Sequence, residues 1–199
     1  MRRTKADSMQ TRTDLIVAAL DLFDEQGVSK TTLAQVATRA NVTRGAVYWH
    51  FSNKDDLFDA MCDFIFDEFE QSMGDKIYSH DCDDFLDDMM FSFNIIKQNV
   101  RLQKFIRVIS RKWENTTENA GIYNAWEKHL AIEIEHLTAL FQLAKDKGKL
   151  ADNITVEDAV HTVRAVHWGL LISWVTQCDF DLIVVGKIAF SGCIVKLFK

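Results

Sequence analysis

Apolar residues recur every three or four positions along most of this chain, the spacing of helices that each bury one face. Leu15, Ala18, Ala19, Leu22 and Phe23 open the pattern, and Gly27 closes it as a residue able to end a helix in a left-handed conformation. A first helix is predicted over 13–27. Thr31 or Thr32 can cap a second helix whose Leu33, Val36, Ala37 and Ala40 share a face. Asn41 tolerates the left-handed region, Val42 can plug the corner, and Thr43 can cap a third helix reaching about His50. Two helices joined this tightly predict a helix-turn-helix. Ser52 or Asn53 then caps a fourth helix over roughly 54–73, with Asp55 and Asp56 placed favourably in its first turn.

Beyond the connection GDKIYSHDCDD, the periodicity predicts helices at about 83–98, 102–115, 120–147, 155–177 and 182–196. The expected fold class is all-α, about nine helices. A three-helix helix-turn-helix domain over 1–55 is expected to precede a larger helical domain over 56–199. Composition agrees: proline is absent, there are only 8 glycines, and 48% of the 199 residues are apolar, enough for a substantial core.

Charge divides the chain more sharply than its net value of −6 suggests. Residues 1–55 carry 8 Lys or Arg against 6 acids, and the remainder carries 15 against 23. A slightly basic head on an acidic body can touch phosphates while the rest repels non-specific nucleic acid. On a helical wheel, at about 100° per residue, Ala46 and Val47 face the second helix, whereas Arg44, Gly45, Tyr48 and Trp49 face outward. Arginine bonds guanine O6 and N7 or a phosphate, glycine admits close backbone approach, and aromatic side chains meet sugar, phosphate or a thymine methyl. Lys54 sits at a helix start, where free backbone N–H groups also welcome phosphate. Singly, Tyr48 and Trp49 read equally well as packed aromatics, His50 as a core histidine and Lys54 as a solvated cation. In register with the turn, they point to double-stranded DNA.

From Thr32 to Leu57 the chain carries T-x-x-x-V-A-x-x-A-x-V-x-x-G-x-x-Y-x-H-F-x-x-K-x-x-L. This stretch resembles the DNA-binding domain of the TetR family of bacterial transcriptional regulators, and TRGAVYWHFSNKDDLF is most similar to the multidrug-efflux repressor (AcrR-like) branch. The resemblance assigns DNA or phosphate contacts to Thr32, Thr43, Arg44, Gly45, Tyr48, His50 and Lys54. For His50, on the inner edge of the wheel, the role rests on resemblance and on its place at the helix end. The resemblance also implies a palindromic operator bound by a homodimer, and an effector cavity inside the helical body.

Aromatic residues are dense in that body, where such stripes are more often plain core than ligand box. With a cavity implied, Phe66, Phe93, Phe105, Trp113, Trp126 and Trp168 are candidate walls. Glu70, His129 and His167 are candidate polar handles for a bulky apolar or cationic small molecule. Val160, Val163, Val166, Leu170, Leu171 and Val175, followed by Ile183, Val184, Ile188, Ile194 and Val195, make the last two helices strongly apolar. They are buried within one subunit or, as the resemblance implies, paired across a two-fold axis.

Three other classes compete. Glu133-x-x-His136 and Asp158-x-x-His161 are similar to the carboxylate-x-x-His signature of di-iron oxidase bundles, although such sites need two further inward carboxylates. The cluster His80, Asp81, Cys82, Asp83 and Asp84 has metal-ligand chemistry, but five adjacent donors cannot all converge, and no metal or other cofactor is expected. Cys62, Cys82, Cys178 and Cys193 contain no CxxC pair and fit a reduced cytoplasmic protein, with a cysteine redox sensor as an alternative. A protein using the helix-turn-helix only structurally is the third. No nucleophile elbow, phosphate loop or HExxH site is present, so no enzymatic activity is expected. The basic N-terminus lacks a following apolar run, and the tail is too short and lysine-interrupted for a membrane span.

Overall fold

The structure, a computed structural model, describes residues 4–74, 84–111, 120–177 and 179–199. Among the described residues nine helices account for the regular structure: α1 Lys5–Gln26, α2 Leu33–Arg39, α3 Arg44–His50, α4 Lys54–Met73, α5 Phe85–Gln98, α6 Val100–Ser110, α7 Ala120–Asp146, α8 Val156–Gln177 and α9 Leu182–Leu197. No β-strand occurs among the described residues, where one isolated bridge pairs Leu150 with Phe198. The all-α expectation holds. None of the described helices is long and apolar enough to cross a membrane.

The first helix starts two turns earlier than its apolar period indicates. Thr4 Oγ1 accepts from the Asp7 backbone N–H at 3.1 Å, and the Asp7 carboxylate accepts from the Thr4 N–H at 3.0 Å. This capping box satisfies two of the orphan donors at the helix start. The added turns are mostly polar, with Met9 64% exposed, so hydrophobic spacing carries no trace of them.

The chain divides into two compact units, Met1–Asp67 with Arg107–His129, and Glu68–Ile106 with Leu130–Lys199. In the first unit Leu15, Ala19 and Phe23 fall one turn apart on α1 and are essentially inaccessible, as are Val36, Val47, Phe51, Leu57 and Phe58. Burying each large apolar side chain stabilises by about 1.5–3 kcal/mol. The Phe23 and Phe58 rings lie 6.0 Å apart, and Arg12 sits 5.2 Å above the Phe51 ring. Arg107 donates to both carboxylate oxygens of Asp24 at 2.9 and 2.8 Å, and Arg111 donates to the Asp24 carbonyl.

In the second unit the core is aromatic. Phe85, Phe93, Phe141 and Phe190 are buried, with Phe85 5.9 Å from Phe141 and 6.2 Å from Phe190. Gly186 lets α9 approach α5 closely, since a Cβ there would stand 2.7 Å from Phe93 Cε2. Gly148 ends α7 at φ 69°, where the Lys149 N–H reaches the Ala144 carbonyl at 2.8 Å.

Candidate nucleic-acid interface

The turn between α2 and α3 is built by backbone hydrogen bonds that only a left-handed residue can close. Asn41 has φ 55°, among the described residues the one non-glycine with positive φ. Its N–H donates to the Thr38 carbonyl at 3.1 Å and the Val42 N–H to the Ala37 carbonyl at 2.9 Å. These are the two bonds of a Schellman ending, and they satisfy carbonyls that α2 would otherwise strand. At the other end of α2, Thr32 and Gln35 form a reciprocal capping box, so Thr32 rather than Thr31 is the cap. Thr31 is buried instead, donating to the Gly27 carbonyl at 2.8 Å.

Thr43 caps α3 by accepting from the Ala46 N–H at 3.2 Å. Val47 is fully buried and fixes the rotation of the helix. With Val47 inward, Arg44 and Gly45 are exposed, Tyr48 is 60% exposed and Trp49 73%. Arg44 has no ion-pair partner among the described residues. Large aromatics this open to water are uncommon and mark a surface awaiting contact. His50 is half-buried, its ring meeting Trp49 edge-on at 4.5 Å.

Asn53 caps α4 through the Asp56 N–H at 2.8 Å, and the Asp56 carboxylate returns to the Ser52 N–H at 2.8 Å. Lys54 has a role that local reasoning missed: its Nζ donates to the Val28 carbonyl at 2.9 Å, fastening the start of α4 to the loop after α1. An ammonium carries three donors, so this bond leaves two for a phosphate. Arg39 and Glu25 add a bidentate bridge between α2 and α1 at 2.9 and 2.6 Å.

The predicted effector residues fall into two groups. In the first unit, Phe66 of α4 stacks on His129 of α7 with centroids 4.0 Å apart and lies 6.0 Å from Trp126. His129 Nε2 is 3.1 Å from Asp63 Oδ1, and Lys128 Nζ is 3.4 Å from the same oxygen. Asp63 was not singled out from the sequence. Its one-turn spacing from Phe66, facing Trp126 and His129 at the same spacing, is the available signal. In the second unit, Phe93 of α5 stacks on His167 of α8, and the Trp168 Nε1–H donates to Glu133 at 3.2 Å. Phe105 is buried and Glu70 half-buried; Trp113 lies outside the described residues.

Among the described residues the two carboxylate-x-x-His pairs do not form a metal site. Glu133 Oε2 is taken by Trp168 and approached by Arg164 Nε at 3.4 Å. Asp158 accepts from the Thr155 hydroxyl at 2.6 Å at the start of α8, and the His161 side chain is 63% exposed. Among the described residues no three His, Cys, Asp or Glu are grouped to hold a metal. His80, Asp81, Cys82, Asp83 and Cys178 lie outside the described residues. Cys62 is buried, and burial pushes the Cys193 thiol above its usual range, away from the reactive thiolate.

A short helix seated on a Schellman turn, with an arginine, a glycine and two bare aromatics on its outer face, defines a helix-turn-helix DNA-binding regulator. Residues 15–61 match the family described as "Bacterial regulatory proteins, tetR family". The probable acrEF/envCD operon repressor of Escherichia coli K12 is 30% identical over 190 residues, 91% of this chain and 84% of the relative. The structure of NalD from Pseudomonas aeruginosa superposes with a TM-score of 0.81 at 28% identity, covering 98% of this chain and 99% of that one. A SmeT–triclosan complex superposes with a TM-score of 0.83 at 25% identity, covering 96% and 92%. This chain belongs to the TetR family of bacterial transcriptional regulators.

Proposed function

We propose that the protein is a cytoplasmic homodimeric repressor that binds a palindromic operator through paired α3 helices. A bulky apolar or cationic small molecule, bound in the helical body, releases it. Residues 1–55 supply the DNA-reading part and residues 56–199 the effector-binding and dimerising part. The observation that carries this reading is the outward quartet of Arg44, Gly45, Tyr48 and Trp49, held by the buried Val47. Thr32, Thr43, His50 and Lys54 flank it as phosphate contacts.

A helix of seven residues reads few base pairs, and two copies on a palindrome multiply the discrimination. The second copy has a face to meet: Ile172 on α8 and Val184, Ile188 and Val195 on α9 are 37%, 58%, 70% and 75% exposed. Apolar side chains exposed along two packed helices suit a two-fold interface.

The relatives support an efflux operon as the target. The Escherichia coli relative is a probable repressor of one operon, NalD is the secondary repressor of the MexAB-OprM multidrug efflux pump, and SmeT was solved with triclosan. The effector acts only through its different affinities for the DNA-fitting state and the other state, with α4, continuous from Lys54 to Met73, as the lever. Gel-shift titration against the intergenic DNA beside a divergent efflux operon tests this. Tight, salt-sensitive binding reversed by an apolar cation supports it; absence of any DNA affinity at low salt rejects it.

A further inference from the structure

Several long cations of the first unit end on protein oxygens: Arg39 on Glu25, Lys54 on the Val28 carbonyl, and Arg107 and Arg111 on Asp24. Arg12 of α1 does not. It is exposed, and among the described residues it makes no hydrogen bond or ion pair. Its guanidinium carbon stands over the Phe51 ring, 5.2 Å from the centroid.

Phe51 is a firm seat for that cation. It is buried, and its N–H donates to the Val47 carbonyl at 2.9 Å, closing the C-terminal end of α3. The His50 ring lies 6.2 Å from the Phe51 ring, so Arg12 from α1 and His50 from the last turn of α3 border the same side chain. The ring attracts the cation through its quadrupole but supplies no oxygen, which leaves five N–H donors on a planar fork. Stacking on an aromatic face also holds the fork in place, so less freedom is lost when it meets a second partner.

The position of the seat selects that partner. In helix-turn-helix complexes the N-terminal residues of the recognition helix meet base edges, and Arg44 stands at that end of α3. Phe51 stands at the other end, on the side of the sugar–phosphate rim. A guanidinium matches a phosphate with two parallel N–H···O bonds. We infer that Arg12 clamps a DNA backbone phosphate beside the half-site read by α3, so that α1 joins the DNA interface. Arg12 lies outside the Thr32–Leu57 stretch that assigned the other contacts. The inference rests on the DNA reading above and extends it to a further helix.

Fluorescence anisotropy of the full-length protein over a salt series tests it, with two labelled duplexes. One is selected from a random pool by the unmutated protein, and the other is a scrambled sequence of the same length. Arg12→Met keeps an unbranched stem able to pack on Phe51 and removes the charge. It is expected to lower the slope of log affinity against log salt by about one for each bound subunit. At about 0.15 M salt the same loss weakens both duplexes by about fivefold per subunit and leaves their ratio unchanged. Arg12→Lys, which restores the charge, is expected to restore the slope. A purely structural Arg12 that only steadies Phe51 predicts something else: an unchanged slope, with any loss falling on the selected duplex through a displaced α3.

That pattern, or a full slope in an Arg12→Met variant that melts like the original, overturns the inference while salt-sensitive binding by the unmutated protein keeps the DNA reading. Arg12→Gln gives the same readout should the methionine variant fail to fold. Unmutated protein that binds neither duplex at low salt overturns the DNA reading itself, and this inference with it.

Discussion

Replacing Lys54 with methionine keeps most of the aliphatic stem and removes the ammonium that donates to the Val28 carbonyl at 2.9 Å. A hydrogen bond from a charged donor contributes about 1.5–3 kcal/mol net when buried. Here the side chain is half-exposed and water can reach the carbonyl, which brings the loss to about 1 kcal/mol. For a chain of this size that lowers the melting temperature by roughly 2–4 °C. In the proposed DNA complex the same ammonium gives its two remaining donors to a phosphate. Losing that contact weakens binding to every DNA sequence and lowers the slope of log affinity against log salt by about one. Thermal melts followed by circular dichroism read the first effect, and fluorescence anisotropy with labelled operator over a salt series reads the second. An unchanged melting temperature refutes the anchoring bond. An unchanged salt slope, or altered discrimination between operator and single-base variants, refutes the phosphate contact.

Other consequences follow from single residues. Asn41→Val forces a β-branched residue into the left-handed region at φ 55° and is expected to cost about 1–2 kcal/mol in urea denaturation, with Asn41→Gly close to neutral; equal stability of the valine variant contradicts the turn geometry. Ile188→Asp, at a side chain 70% exposed, is expected to leave the subunit folded and halve the mass seen by sedimentation while weakening operator binding; an unaltered dimer removes α9 from the interface. Glu68 accepts from Arg101 at 2.6 and 2.9 Å and from Asn99 at 2.8 Å, and the Arg101 hydrogen bonds above all hold its pKa below the ordinary 4.5. A lowered folded value gives stability that is full above 4.5 and lost as pH falls through that lower value. Glu68→Gln is therefore expected to cost about 1 kcal/mol at neutral pH, discounted for exposure, and to match the unmutated protein in strong acid; a difference that persists there contradicts the assignment.

The elements that could be read from the chain are those whose cause is local. Thr43, Asn41 and Val47 are legible because a cap, a left-handed turn residue and a buried helix face are each decided within a few positions, and together they set the orientation of Arg44, Tyr48 and Trp49. Helices α4, α8 and α9 were legible because their apolar faces repeat for several turns. The first turns of α1 were not, since Thr4 and Asp7 stabilise them by capping while Met9 stays in water. The predicted start of α6 at 102 likewise differs from the observed Val100, because the Asn99 side chain accepts from the Arg101 and Leu102 N–H groups and starts the helix there, while the predicted end at 115 lies outside the described residues. Tertiary partners stayed hidden for a different reason. The Arg107–Asp24, His129–Asp63 and Lys54–Val28 pairs span 83, 66 and 26 positions, and no periodicity encodes which distant charge or carbonyl a side chain meets.

The central claim, that α3 reads DNA in pairs, is tested most directly by hydroxyl-radical footprinting on DNA selected from a random pool by the unmutated protein. The comparison variant carries Arg44→Ala and Tyr48→Ala together, two exposed positions whose truncation leaves the fold intact. The account predicts two protected, palindromic half-sites about one helical turn, or ~34 Å, apart, and loss of both in a variant that melts like the original. Protection that survives in that folded variant, or a single unrepeated footprint, contradicts it.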